Sequence, residues 1–308
     1  MDRIKAVVIA GPTASGKSSL AVELAALFNG EVVSADSMQV YRRMDIGTAK
    51  PTAKERRGIP HHMIDIVDPD EDFSAARFRE MALDSVKEIH GRGRNVFIAG
   101  GTGLYIKALT RGIFKGPPAD PGLRAELSRE AETHGSERLY ERLKAVDPAG
   151  ASNIHPNNLV RVIRALEVYA LSKRPISEFH GEHAFSEKGG AAFETLKIGL
   201  APDRTELYER IDGRVEMMME DGLPEETKKL LQAGYSSSLK PMGGLGYKEM
   251  TGHIAGEYGL EEAVRLLKRN TRHYAKRQMT WFKKDPEIRW FNPGRKNDII
   301  EAVKGYLN

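Results

Sequence analysis

Lys5-Ala6-Val7-Val8-Ile9-Ala10 is short, continuously apolar and rich in β-branched residues, which predicts a strand buried on both faces. Glycines 11 and 16 then break the run. Leu20, Leu24, Leu27 and Phe28 follow at helical spacing and predict a helix over 18–28, stopped by Asn29-Gly30. Val32-Val33-Ser34-Ala35 reads as a second strand. Met63–Val67 and Asn95–Ala99 read as two more, with a helix over 74–90 between them, and Leu196–Leu200 as a fifth. Strands alternating with helices predict an α/β fold, a parallel sheet core with helices on both faces. From 116 to 194 the pattern is helical with no strand. Gly116-Pro117-Pro118-Ala119-Asp120-Pro121-Gly122 opens that stretch as a linker, and Gly181–Ala192 closes it as a mobile loop. The expected organisation is therefore a core formed by 1–115 and 195–308, with a helical insertion domain at 116–194. Helices over 203–219, 223–233 and 260–284 complete the core.

Composition narrows the chemistry. The 308 residues contain no cysteine, which excludes disulfides, thiolate nucleophiles and cysteine-ligated metal sites. An apolar fraction of 40% and a charged fraction of 29% fit a folded, soluble chain. No apolar run approaches the ~20 residues that cross a bilayer, so no membrane is expected. Met1-Asp2-Arg3-Ile4-Lys5 leads straight into the first strand and leaves no room for a secretory signal, which makes a cytoplasmic location the expectation. The net charge of +4 is too mild to identify a partner, so the placement of charge matters more.

Gly11-Pro12-Thr13-Ala14-Ser15-Gly16-Lys17-Ser18 matches G-x-x-x-x-G-K-[ST], with a predicted strand before it and a helix after it. In that context the backbone amides and the helix N-terminus cradle phosphate, Lys17 neutralises its oxygens and the Ser18 hydroxyl can ligate Mg²⁺. The core is thus P-loop NTPase-like. A nucleoside triphosphate, making the site ATP-binding, is the default occupant, yet any diphosphate fits the same cradle, including one that is a leaving group.

Asp36 follows the second strand, at the sheet edge that faces the ligand crevice in open α/β folds. It is either a turn-capping residue or a base or metal partner beside the cradle. Asp65 and Asp68 compete for a metal role, although Pro69, Asp70, Glu71 and Asp72 make a solvated acidic turn the favoured reading there. Gly100-Gly101-Thr102-Gly103 is either a ligand-binding loop or a plain turn. His180-x-x-His183 lacks a carboxylate pattern and is not read as a metal site, and Met217-Met218-Met219 is read as core packing.

Basic residues concentrate late in the chain. Arg265–Lys284 holds eight Lys or Arg and no acid, and Arg265, Arg269, Arg272 and Lys276 share one helix face. Without balancing acids that face points to an anionic partner. Arg161 and Arg164 lie three apart on an insertion helix, and Arg204, Arg210 and Arg214 punctuate the helix after the fifth strand, where one of them can reach phosphate.

Together these residues resemble the bacterial tRNA dimethylallyltransferases, or tRNA isopentenyltransferases. The resemblance rests on the phosphate loop, on Asp36-Ser37-Met38-Gln39-Val40-Tyr41, on Asp45-Ile46-Gly47-Thr48-Ala49-Lys50-Pro51 and on Ala99-Gly100-Gly101-Thr102-Gly103-Leu104-Tyr105. It continues through Arg161-Val162-Ile163-Arg164-Ala165-Leu166-Glu167 and Gly243-Gly244-Leu245-Gly246-Tyr247-Lys248-Glu249-Met250. It implies transfer of a dimethylallyl group from dimethylallyl diphosphate to the exocyclic amine of the adenosine 3′-adjacent to the anticodon. Under it, Gly11 to Ser18 hold the diphosphate, Ser18 coordinates Mg²⁺ and Arg214 assists the leaving group. Asp36 is the implied general base, with Thr102 and Lys17 beside it in the catalytic set. The implied tRNA contacts are Asp36, Ser37, Met38, Gln39, Thr102, Arg124, Leu159, Val160, Arg161, Val162, Ile163 and the Gly243, Gly244, Leu245, Gly246, Tyr247, Lys248 run. A monomer is expected. A P-loop small-molecule kinase, an isopentenyltransferase acting on free adenine nucleotides and a non-catalytic RNA-binding module are the rival readings. The basic helix argues against the first, and the insertion with the basic face against the second. The third would not need Lys17 or Ser18.

Overall fold

A computed structural model describes residues 4–114, 116–187 and 193–308, without the side chains of 183–187. The chain divides into two compact units, Met1–Arg111 with Ala192–Asn308, and Gly112–Ala191.

In the first unit, β1 (Lys5–Ala10) leads through the glycine-containing turn into α1 (Lys17–Leu27), and β2 (Gly30–Ser34) follows. A short helix α2 (Ala53–Arg56), capped by Thr52 and Glu55, precedes β3 (His61–His62). Then come α3 (Ala75–Gly91), β4 (Asn95–Gly100) and α4 (Gly103–Arg111). The second unit is helical: α5 (Pro121–His134), α6 (Ser136–Val146), α7 (Pro148–Ser152), α8 (Leu159–Ser172) and α9 (Ile176–Glu187). The chain returns through β5 (Glu194–Leu200), α10 (Arg204–Glu220), α11 (Leu223–Gln232), a short 3₁₀ turn, α12 (Tyr247–Ile254), α13 (Leu260–Phe282), β6 (Ile288–Phe291) and α14 (Lys296–Leu307).

The strands form one sheet in the order β3-β2-β4-β1-β5-β6, and every pairing is parallel. Alternate residues of β1 face opposite cores. Ala6, Val8 and Ala10 pack with Phe78, Tyr105 and Leu267 on one side, while Val7 and Ile9 pack with Leu20, Leu24, Ile299 and Val303 on the other. That two-sided burial is why β1 reads as an unbroken apolar run. Because β2, β4 and β1 are adjacent and parallel, the loops after Ser34, Gly100 and Ala10 emerge along one edge. The second unit has its own core, built on Leu127, Leu139, Leu143, Val162 and Leu166.

The structure corrects three expectations. The third strand is not Met63–Val67 but His61–His62, the two residues immediately before it. Met63 and Asp65 adopt left-handed φ values of 64° and 58°, which cannot continue a strand, and only Val67 makes an isolated bridge, to Tyr41. Gly181 to Glu187 continue α9 instead of starting a loop, while residues 188–192 of that expected loop lie outside the described residues. The apolar pattern also concealed α4, β6 and α14. Edge strand β6 is four residues long and half exposed, which leaves too little periodic signal to detect.

Candidate active site

The phosphate loop owes its shape to local backbone chemistry. Gly16 sits at φ 90°, a left-handed position that glycine adopts without strain, and Ala14 at φ 62° joins it in forming a concave nest of amides. Helix α1 starts immediately afterwards with no side-chain cap and no acid in its first turn, so its positive end faces the loop uncompensated. Lys17 folds back and its Nζ donates to Pro12 O at 2.7 Å. Burial, and then the neighbouring Arg214 guanidinium, lower the Lys17 pKa to about 7, with the Asp36 carboxylate opposing them. Such an ammonium lacks a close anion, and an incoming diphosphate would supply one. Arg214, on α10, donates from Nη1 to Thr13 Oγ1 at 3.4 Å, and burial lowers its pKa too. Arg210 lies beside Gly16 but pairs with Glu206, and Arg204 engages Tyr208. Among the three candidate arginines, Arg214 is therefore the one inside the loop. Ser15 Oγ is buried there with no hydrogen-bond partner among the described residues.

The loop after β2 places Asp36 next to this cradle. Asp36 Oδ1 accepts from Met38 N at 2.9 Å and Gln39 N at 3.4 Å, so the turn-capping role is present. Oδ2 accepts no bond from the described residues, and the carboxylate is half-exposed. Its negative charge is felt by Lys17, Arg214, Tyr105 and Tyr274, opposing the loss of the proton from each. Tyr105 and Tyr274 are held un-ionised chiefly by burial, Tyr274 with a pKa raised to about 12.

Thr102 links this loop to the one after β4. Its Oγ1 accepts from Ser37 N at 2.9 Å and donates to Ser37 Oγ at 3.2 Å. The glycines around it are steric requirements more than ligand-binding features. A Cβ on Gly100 would strike the Ala35 backbone, one on Gly101 the Gln278 amide, and one on Gly103 the Trp281 indole.

Other expected contacts are placed elsewhere. Gln39 is buried, its Oε1 accepting from Ser34 Oγ and its Nε2 donating to the Thr48 and Ala49 carbonyls. Its side chain is thereby committed to holding the loop and cannot double as a tRNA contact without breaking those bonds. Met38 packs partly against the core and touches the region of Gly244. Tyr247 is fully buried and its hydroxyl donates to Glu226 Oε1 at 2.6 Å, so it too is a core residue. Glu226 also accepts the amides of Asp45, Ile46 and Gly47, which pins the Asp45–Pro51 segment. Lys248 and Gly243 are exposed, Gly244 and Leu245 half-buried, and Gly246 buried. Asp65 and Asp45 both pair with Lys50 at 2.5 Å and Asp68 pairs with Arg42 at 3.3 Å. Met218 and Met219 pack partly on the core, whereas Met217 is exposed.

Within the second unit, Val162 and Ile163 are buried in its core. Val160 and Arg161 are exposed in the first turn of α8, and Leu159 is half-buried. Arg124 makes a two-bond pair with the fully buried Glu167, at 2.8 and 2.9 Å, and Arg164 joins it at 2.6 Å. His180 stacks edge-on against Phe114, and the His183 side chain lies outside the described ones.

The basic face of α13 is less bare than its sequence implies. Arg265 pairs with Glu262 one turn earlier, Lys268 with Glu216 and Arg272 with Asp212, the last two acids lying on α10. The premise of an acid-free face therefore fails for two of its four cations, Arg265 and Arg272. Lys276, Lys283 and Lys284 are exposed with no ion pair among the described residues. Sequence reasoning also missed Gln278, which belongs to no motif and reaches the loops only through the packing of α13. A surface cavity of about 880 Å³, lined by Arg43, Asp45, Glu226 and Lys229 among others, contains none of the groups of the cradle.

Comparison with known proteins places the chain in a family. The family model described as IPP transferase matches residues 39–285. A tRNA dimethylallyltransferase 2 of Geotalea uraniireducens (strain Rf4) is 55% identical over 289 residues, covering 94% of this chain and 92% of its own. A tRNA dimethylallyltransferase of Geobacter metallireducens is 51% identical over 308 residues, covering 100% and 99%. Among solved structures, the tRNA isopentenylpyrophosphate transferase of Bacillus halodurans superposes with a TM-score of 0.73 at 44% identity, covering 98% of this chain and 96% of its own. A eukaryotic dimethylallyltransferase acting on tRNA superposes with a TM-score of 0.80 at 32% identity, covering 94% and 74%. A phosphate loop, a carboxylate on the adjacent loop and this likeness along nearly the whole length lead to one conclusion: the chain belongs to the IPP transferase family.

Proposed function

We propose that this enzyme transfers the dimethylallyl group of dimethylallyl diphosphate to the exocyclic amine of the adenosine 3′-adjacent to the anticodon in tRNA, releasing diphosphate. The observation that carries this reading is the placement of Asp36 beside an anion cradle formed by the α1 N-terminus, Lys17 and Arg214. The relatives are named for this reaction, and the family membership extends it to this chain.

The residues divide the work between the two bonds. The loop amides, Lys17 and Arg214 stabilise the electron pair that leaves with diphosphate when the allylic carbon–oxygen bond breaks. The adenine nitrogen forms the new bond to carbon, and Asp36 Oδ2 takes the proton it loses. Asp36 Oδ1 stays on the Met38 amide throughout and keeps the carboxylate aimed. Thr102 holds the Ser37 amide and so fixes the same loop.

Among the described residues no group of three or more His, Cys, Asp or Glu side chains could hold a metal ion. The exposed Ser18 hydroxyl at the start of α1 fits a Mg²⁺ that takes its other ligands from diphosphate and water, as this hard cation prefers. When bound there it would add Lewis-acid neutralisation of the leaving diphosphate. Leu159, Val160 and Arg161 of the second unit, and Asp36, Ser37, Met38, Thr102, Gly243, Gly244, Leu245 and Lys248 of the first, are the exposed or half-buried ones among the implied tRNA contacts. Arg124 belongs with them only in so far as its pair with Glu167 leaves a donor outward.

No helix among the described residues is long and apolar enough to cross a membrane. Incubation with labelled dimethylallyl diphosphate and total tRNA, with ATP and free AMP as controls, tests the reading. Label should enter tRNA alone. Steady ATP turnover abolished by Lys17→Ala, without label transfer, would replace it with a kinase or ATPase.

A further inference from the structure

Thr13 is held from two directions. Its hydroxyl accepts from Arg214, and its amide N–H donates to Gln278 Oε1 at 2.8 Å. The other end of the same amide side chain, Nε2, donates to Gly101 O at 2.9 Å. Gln278 is 6% exposed, its bond to Gly101 is buried and its bond to Thr13 is part-buried. A buried side chain satisfied at both ends by two backbone segments acts as a strut, because shifting either segment leaves a buried polar group unpaired. Gly101 is small for the same reason: a Cβ there would collide with the Gln278 amide.

The two segments serve opposite halves of the reaction. Thr13 belongs to the loop that holds the leaving diphosphate. Gly101 precedes Thr102, whose hydroxyl fixes Ser37 and through it the turn that aims Asp36. We propose that Gln278 is a positioning residue that sets the spacing between the diphosphate loop and the Asp36 loop, so that the allylic carbon meets the amine as its carbon–oxygen bond breaks. This rests on the reaction proposed above. Both ends of the Gln278 amide are occupied by protein, so its effect passes through Thr13 and Gly101.

The spacing matters because an allylic diphosphate has a second outcome. If the carbon–oxygen bond breaks with the amine out of place, water attacks the carbon instead. The products are then the allylic alcohol, diphosphate and one proton, with no transfer. Gln278→Met keeps the volume and loses both bonds, and Gln278→Asn keeps an amide too short to span them.

Single-turnover and steady-state transfer from labelled dimethylallyl diphosphate to tRNA would be measured for wild type and both variants, together with the label recovered as alcohol. A misplacement of this kind predicts a kcat lower by about 10- to 100-fold. Each KM should move by less than about threefold, since ground-state binding is retained. The alcohol fraction should rise in both variants. Unchanged kcat and alcohol fraction in either folded variant would overturn the proposal. So would a slower reaction with an unchanged alcohol fraction, which marks a purely structural residue, or a loss confined to KM, which marks a substrate contact. If wild type transfers no label to tRNA, it is the proposed reaction that fails and not the strut.

Discussion

Asp36 combines two jobs that a single-residue reading sets against each other. One oxygen caps its own turn and the other is left for chemistry. This division makes Asp36→Asn an informative change, because the amide oxygen can still cap the turn while the base is lost. General-base assistance is typically worth ~10² to 10⁴ in rate, or about 3 to 5 kcal/mol of barrier. The expected outcome is a fall in kcat within that range, with tRNA affinity changed far less, since phosphate contacts dominate affinity. Single-turnover transfer and filter binding on the same preparation check both parts. Retention of more than about a tenth of the wild-type rate would remove Asp36 as the base.

At the scale of elements, the helical unit depends on one buried carboxylate. Glu167 on α8 is fully buried and accepts from Arg124, Arg164 and the Asp120 amide. It ties the start of α5 to the middle of α8. Burial pushes its pKa up, but these hydrogen bonds and charges outweigh it, and the net pKa is lowered. A depressed folded-state pKa stabilises above the unfolded value of about 4.3 and is lost as pH falls through the folded value. Glu167→Gln is therefore expected to cost roughly 2 to 3 kcal/mol at pH 7, toward the lower side for a broken buried pair because both arginines are partly solvated. The gap between variant and wild-type thermal unfolding should narrow as pH drops below about 4. The same network explains why Arg124 is a poor choice for probing tRNA contacts: Arg124→Ala should lower unfolding temperature along with any affinity.

Across the first unit, charge pairing between α10 and α13 decides which cations are available. Arg272 and Lys268 are occupied by Asp212 and Glu216, whereas Lys276 and Lys283 have no such partner among the described residues. If α13 contacts tRNA phosphates, each contact adds roughly 0.7 to 0.9 to the slope of log affinity against log salt. Reversal of Lys276 and Lys283 together is expected to flatten that slope by about 1.4 to 1.8. Arg272→Ala should leave it nearly unchanged and cost at most about 1 kcal/mol of stability, as for other part-exposed pairs. Salt titrations of tRNA binding for the two variants, side by side, separate the free cations from the paired ones.

The parts legible in the sequence are those whose physics is local. The run Lys5–Ala10, the glycine at a left-handed φ and the helix that follows lie within 23 consecutive residues, from 5 to 27, and each is dictated by near neighbours. The same holds for the helical patterns of the second unit, and it let Asp36 and Thr102 be placed at strand ends. Tertiary structure alone decided what distant elements do to one another. Arg214 reaches Thr13 across 201 positions, and Gln278 reaches it across 265. Nothing in the periodicity of α13 marks its Gln as a strut, since a buried polar residue on a helix face looks like an interruption of the apolar stripe. The basic face seemed unbalanced because two of the acids beside it, Asp212 and Glu216, lie on another helix, and the burial of Val162, Ile163 and Tyr247 was hidden because it depends on which elements pack over them. Even the third strand moved, because two left-handed residues and the Lys50 pair with Asp65 turned an apolar run into a loop. Hydrophobic spacing specifies which stretches pair and pack; the partners that orient a reacting group are chosen only when the chain closes on itself.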